Sequence, residues 1–184
     1  MAGKITLKFC ERASEKLKNL INESYIEGEE GLIDWSNPTV TRADSNDKPL
    51  QQLCDEHEIV IATDDSCESN KGLPIGTIRV EKSGTIGMLA VNKNYRQHGL
   101  GRKLINFAEN YVKHDLKLSI LRIELVYPKN EKNIFKVFLK KWYLSLGFVI
   151  VDERDCYEHP VYGEVFRKLL MTEAVFLSME KNIH

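Results

Sequence analysis

Two glycines one residue apart, Gly99 and Gly101, sit in "NYRQHGLGRK" with three basic side chains close by, Arg96, Arg102 and Lys103. Before them an apolar run, Met88 to Val91, stops at Asn92. After them Leu100, Leu104, Phe107, Ala108 and Tyr111 recur at helical spacing. The corner is a strand handing over to a helix. Glycines there let a ligand approach the backbone with no side chain between. The first amides of a helix lack internal partners and the macrodipole adds partial positive charge, so the corner suits a phosphate or pyrophosphate. The same glycines also serve a plain tight turn, and G-x-G alone does not separate the two uses.

Two nucleotide motifs fail on the residues. A P-loop needs G-x-x-x-x-G-K-[ST], and the chain has no such run. A Rossmann fingerprint needs a third glycine where Leu104 stands, in a parallel strand–helix–strand unit, whereas this corner follows a hairpin.

The elements that must position the corner follow from periodicity. "KITLKF" (4–9) alternates as a half-buried strand. "RASEKLKNLINESYIEG" places Ala13, Leu17, Leu20, Ile21 and Ser24 on one helical face and closes at Gly28. Residues 28–47 read as a long loop and "PLQQLCDEH" as a short helix. "EIVIAT" (58–63) is a strand and "DDSCESNKG" (64–72) a surface turn. "LPIGTIRVEKSGTIGMLAV" gives two strands joined near Lys82–Gly84. Helix 100–113 and strand "SILRIELVYP" (119–128) come next. In "NIFKVFLKKWYLSL", Phe135, Phe138, Leu139, Trp142 and Leu146 make the apolar face of a helix, which "GF" closes with a left-handed glycine cap. "VIVD" and "EAVFLSME" are strands enclosing a polar, tyrosine-containing loop, 152–170. The expected architecture is α/β (α+β): one domain, 1–184, with a mixed central sheet of about seven strands flanked by helices.

The bulk numbers exclude other classes. In 184 residues, 26 basic and 27 acidic side chains leave a net charge of −1, so no charge excess draws nucleic acid or a membrane surface. Cys10, Cys54, Cys67 and Cys156 lie far apart, with no C-x-x-C pair and no cysteine–histidine cluster, which reads as reduced thiols and no metal. The first residues lack the apolar core of a signal peptide and no run approaches a membrane span, so a cytoplasmic protein is expected.

The run Arg96 to Gly101, R-x-x-G-x-G, is preceded by "MLAV" and followed by "RKLINFAEN". In this setting the chain resembles the GNAT superfamily of acyl-CoA-dependent N-acetyltransferases, whose acyl-CoA motif is [QR]-x-x-G-x-[GA]. "FLKKWYLSLGF" (138–148) resembles the family's "WYeklGF" segment, and the element order over about 4–181 fits the family fold.

The resemblance implies a set of roles. Acetyl-CoA would be the co-substrate, its pantetheine arm lying along Leu89, Ala90 and Val91 like an added strand. Its pyrophosphate would rest on the amides of Gln97, His98, Gly99, Leu100, Gly101 and Arg102, with Arg96, Arg102 and Lys103 adding charge or serving as solvated helix-start residues. His98 reads as a surface residue within that loop. Tyr143 matches the tyrosine that protonates the leaving thiolate. The family's asparagine before this helix corresponds to Asn130 or Asn133; the stretch from Pro128 to Tyr143 is longer than the common pattern. An alkyl amine is mostly protonated at neutral pH and needs a base. The family's fourth-strand glutamate is replaced here by Thr85, which leaves Glu81, Glu124 or a water relay as candidates.

The expected function is transfer of an acetyl group to a primary amine, a small-molecule or amino-acid-like acceptor, by direct attack. The alternatives are a protein N-terminal or lysine acetyltransferase and a non-catalytic acyl-CoA-binding module. The variable segments 25–56 and 152–170 would set the acceptor. They carry Glu27, Glu29, Glu30 and Asp34, and Asp152, Glu153, Asp155, Glu158 and Glu164; Tyr157, His159 and Tyr162 are further pocket candidates. A monomer or homodimer is expected.

Overall fold

A cap and an apolar stripe explain the first helix. Ser14 accepts the amide of Leu17, and α1 (Glu15–Gly28) then buries Leu17, Leu20 and Ile21. It follows strand β1 (Ile5–Phe9) and precedes the short α2 (Leu50–Asp55). The strands β2 (Ile59–Asp64), β3 (Pro74–Val80) and β4 (Thr85–Val91) form an antiparallel run with β1. Then come α3 (Leu100–His114), β5 (Ile120–Pro128), α4 (Ile134–Ser145), β6 (Val149–Asp155), α5 (Gly163–Leu169) and β7 (Ala174–Asn182). The computed structural model describes residues 5–36, 41–43, 48–66, 71–160 and 162–184. Lys4, Cys67 and parts of the loops 28–47 and 64–72 lie outside them.

The expected mixed sheet of seven strands is present, in the order β1-β2-β3-β4-β5-β7-β6. Its strands are not joined equally. β5 and β7 pair along their whole length, from Ile120↔Asn182 to Pro128↔Ala174. β4 and β5, parallel and adjacent, pair only at Thr85↔Arg122 and Ile86↔Ile123. Beyond that point they separate. Met88 has a positive φ of 45°, and the β3–β4 register shifts between Thr77 and Arg79. This bulge turns β4 away from β5 and leaves its edge from Gly87 to Val91 without a strand partner.

Packing gives each face its own helices. Leu100, Leu104, Ile105, Ala108 and Val112 of α3, with Tyr143 and Leu146 of α4, cover one face over Ile86, Leu121, Ile123 and Leu125. On the other face α1 and α2 place Leu17, Ile21, Leu50 and Leu53 against Ile59, Ile61 and Met88. A third cluster joins Leu32 and Ile33 to Cys156, Phe166, Ala174 and Phe176. Cys10, Cys54 and Cys156 are free and buried, and burial pushes the Cys156 thiol up to about 12. No helix among the described residues is long and apolar enough to cross a membrane.

Two elements differ from expectation. The buried residues of α4 are Lys136 and Tyr143, seven apart on one face, while Phe135 and Phe138 are exposed. Leu139, Trp142 and Leu146 pack on the core as expected, Phe135 and Phe138 do not, and a charge partner makes the inward lysine tolerable. The loop expected over 152–170 is largely structured: β6 runs on to Asp155, a 3-10 turn spans Cys156–Glu158, and α5 buries Phe166. The cap expected at "GF" is present, with Gly147 at φ 91° and Phe148 buried.

Candidate active site

The corner between β4 and α3 is fixed by neighbours on three sides. Asn92 donates its amide to Ile75 O (2.9 Å), and its side chain accepts from Asn94 N (3.0 Å). Tyr95 donates to Asp64 Oδ2 at 3.1 Å. The two glycines are not equivalent. Gly99 is the N-cap of α3 at φ 78°, with open space where a Cβ would stand, so its requirement is conformational. A Cβ on Gly101 would lie 3.4 Å from Trp142, an ordinary contact, so α4 packs against the start of α3 here without requiring glycine. The first α-helical bond runs from Lys103 N to Gly99 O (3.0 Å), which leaves the amides of Leu100, Gly101 and Arg102 ahead of the ladder. Arg102 and Lys103 are exposed on that first turn. Such amides, with the helix dipole behind them, favour an anion.

Arg96 points elsewhere. Its Nη2 is 2.8 Å from Glu27 Oε2 and its Nε donates to Val91 O (3.0 Å), so it ties the end of β4 to α1. Arg96 accordingly holds the Glu27 carboxyl below its ordinary pKa. Gln97 has a positive φ of 64°, and His98 is exposed with Nδ1 2.7 Å from Arg96 O. Leu89 and Val91 pack on the α3 side of the sheet, and Ala90 is buried.

Two of the three candidate proton-transfer groups, Glu124 and Tyr143, lie on opposite faces of the sheet. Ile86↔Ile123 is the last pair, so Glu124 lies at the first level beyond it. Ile123 and Leu125 face α3 and α4; alternation sends Glu124 to the opposite face, where Oε2 is 3.6 Å from His159 Nε2. Its side chain is 44% exposed. Tyr143 is on the α4 side, 3% exposed, against Trp142 (5.0 Å) and Phe148 (5.7 Å). Burial, with Tyr25 nearby, pushes its hydroxyl well above the usual tyrosine range. A phenol so placed stays protonated at neutral pH. Glu81 belongs to the β3–β4 turn, 3.3 Å from Arg79 Nη1 and bonded by Ser83 Oγ (3.3 Å).

Neither asparagine candidate is idle. Asn133 caps α4 by accepting Lys136 N (2.8 Å), and its Nδ2 donates to Gly28 O (3.2 Å) and Glu30 O (3.0 Å). Asn130 accepts Lys132 N (3.0 Å) and donates to Thr172 Oγ1 (3.0 Å).

The family model described as an acetyltransferase (GNAT) domain matches residues 55–150. The chain belongs to the GNAT acetyltransferase family. No curated protein matches it in sequence. Among solved structures, this GNAT acetyltransferase is similar to a chain of the NatC complex bound to Gag peptide and CoA. The TM-score is 0.61 at 17% identity, covering 98% of this chain and 99% of that one. It is also similar to N-acetylglutamate synthase from Neisseria gonorrhoeae complexed with coenzyme A and N-acetyl-glutamate. There the TM-score is 0.58 at 13% identity, over 100% of this chain and 36% of that one. A Bacillus anthracis protein in complex with acetyl coenzyme A gives 0.49 at 22% identity, over 68% of this chain and 62% of that one.

The GNAT acetyltransferase carries two further polar groups that sequence reasoning did not single out, Lys136 and Arg42. Lys136 Nζ bonds Glu29 Oε1 at 2.8 Å with both side chains under a tenth exposed. Arg42 lies over the Tyr25 ring at 4.8 Å. The signal for Lys136 was available: it is the one charge in "IFKVF", on the same helical face as Tyr143. The segments expected to set the acceptor do meet: Asp34 N donates to Leu169 O (2.7 Å) and Met171 N to Leu32 O (3.0 Å).

Proposed function

We propose that the chain transfers the acetyl group of acetyl-CoA to a primary amine, a small-molecule or amino-acid-like acceptor, by direct attack. The observation that carries this is the parting of β4 and β5 beside the glycine corner, with Glu124 on one face and Tyr143 on the other. The CoA bound in the NatC and N-acetylglutamate synthase structures supports acetyl-CoA as donor.

In this reading the pantetheine arm takes the unpaired edge of Leu89, Ala90 and Val91, and the pyrophosphate rests on the amides from Gln97 to Arg102. Glu124 takes a proton from the ammonium, and the neutral amine attacks the thioester carbonyl. A β4 amide near Leu89 stabilises the oxyanion. As the adduct collapses, the C–S bond breaks and Tyr143 protonates the departing thiolate, while the nitrogen sheds its remaining extra proton to solvent, from which Tyr143 is reprotonated. Glu81 is engaged by Arg79 and Ser83, which favours Glu124 as the base. The backbone bonds between residues 32–34 and 169–171 join the two segments that would set the acceptor. Residues 1–184 act as one domain, in the cytoplasm, as a monomer or homodimer.

A second reading, a peptide N-terminus as acceptor, draws on the likeness to NatC bound to a peptide over nearly the full chain. A panel of small amines, N-terminal peptides and lysine peptides, scored by thiol release from acetyl-CoA, tests both. Turnover confined to small amines is expected. Turnover of peptides alone would select the second reading, and acetyl-CoA binding without turnover would leave a binding module.

A further inference from the structure

We propose that His159 is a positioning residue for Glu124, holding its carboxylate in place where β4 and β5 part. The inference rests on the reading of Glu124 as the base.

The ring's hydrogen bonds fix its proton. Tyr162 N donates to His159 Nδ1 at 3.1 Å, so Nδ1 carries the lone pair and the neutral ring bears its hydrogen on Nε2. Nε2 is the atom that faces Glu124 Oε2, 3.6 Å away. The ring cannot turn freely. Tyr162 stacks on it at 4.9 Å and 27°, and Phe176 lies 4.5 Å away on β7. Its side chain is 10% exposed. The backbone around it is braced as well: Asp155 caps the 3-10 turn by accepting Tyr157 N (2.9 Å), and Gly163 N donates to His159 O (2.9 Å).

Glu124 has no comparable hold of its own. It is a half-exposed strand carboxylate opposite Ser178. The nearest same-strand charge on its face is Arg122, which pairs with Glu180 at 2.7 Å. An N–H aimed at one oxygen restricts the carboxylate's rotamers. At 3.6 Å the contact is longer than a hydrogen bond, as catalytic contacts often are before substrate tightens them. Packing alone would be met by phenylalanine at this position. The proton placement, aimed at the carboxylate, would not.

Three NMR measurements on the intact protein test this without knowledge of the acceptor. Nitrogen-labelled histidine should show the Nε2–H tautomer for His159; a proton on Nδ1 overturns the proposal, and this reading needs no variant. The Glu124 side chain, followed by carbon-detected three-bond couplings, should hold one rotamer in wild type and average between rotamers in His159→Phe, which keeps the ring stack but lacks the donor. His159→Gln, which restores an N–H, should recover the single rotamer. Equal couplings in wild type and both variants overturn the proposal. Glu124→Gln in the thiol-release panel tests the base reading separately: undiminished turnover there sinks that reading whatever His159 does.

Discussion

Lys136 and Glu29 meet at 2.8 Å from helices that cover opposite faces of the sheet. With Asn133 bonded to Gly28 O and Glu30 O, and Phe135 against Gly28, they clasp the start of α4 to the end of α1. A buried ion pair is costly to break on one side, because the remaining charge stays desolvated. Lys136→Met or Glu29→Gln alone should lower stability by about 3 kcal/mol in urea unfolding, while Lys136→Met with Glu29→Leu should recover most of the loss. A double variant as unstable as the two losses summed would show that the partners act independently.

Gly99 tests the anion corner. Aspartate tolerates its left-handed backbone, and a Cβ there meets nothing within 4 Å, so Gly99→Asp should fold. Its carboxylate would face the pyrophosphate, and calorimetric binding of acetyl-CoA should be lost. Gly99→Asn, uncharged and of similar shape, should keep most of the affinity. Equal affinity in all three proteins would refute the corner's role.

Tyr143→Phe keeps the ring that packs against Trp142 and Phe148 and removes only the hydroxyl. Turnover should fall about 100-fold with acetyl-CoA affinity near wild type. An unaltered rate would dismiss Tyr143 as the acid.

Asp155 offers a pH test of the segment that carries His159. The Tyr157 amide, then the Lys129 ammonium at 3.1 Å, hold its carboxyl below the usual range. Because the folded pKa is depressed, the stabilisation is complete above the ordinary carboxylate range and is lost as pH falls through the folded value. Asp155→Asn keeps the cap acceptor but loses the charge. The gap in Tm between wild type and this variant should be constant from about pH 8 to 5 and shrink steadily as pH falls further. A gap that does not shrink on acidification would assign the effect to something other than this charge.

Much of the site was legible in the sequence because it depends on local chemistry. The R-x-x-G-x-G corner, the strand before it and the Gly147 cap follow from glycine spacing and periodicity. The strands themselves announced a mixed sheet. What escaped depends on distant partners. Lys136 shares a helical face with Tyr143, but only Glu29, over a hundred positions away, supplies the counter-charge that lets it be buried. Phe135 and Phe138 read as core because nothing local says that the helix face is turned. The bulge at Met88 leaves no trace in an unbroken apolar run, yet it decides where β4 leaves β5. α5 is short, and its only buried side chain is Phe166 in a charged setting.

Among the described residues, the two bonded pairs between β4 and β5 are the sole strand-to-strand stitches between a four-stranded half and a three-stranded half. The sheet is thus a garment with a seam left undone, and a donor arm lying along the loose edge would serve as thread as well as reagent. On that view loading with acetyl-CoA should slow hydrogen exchange along both halves far beyond the atoms it touches, and the protein's mechanical wholeness should rise and fall with each turnover.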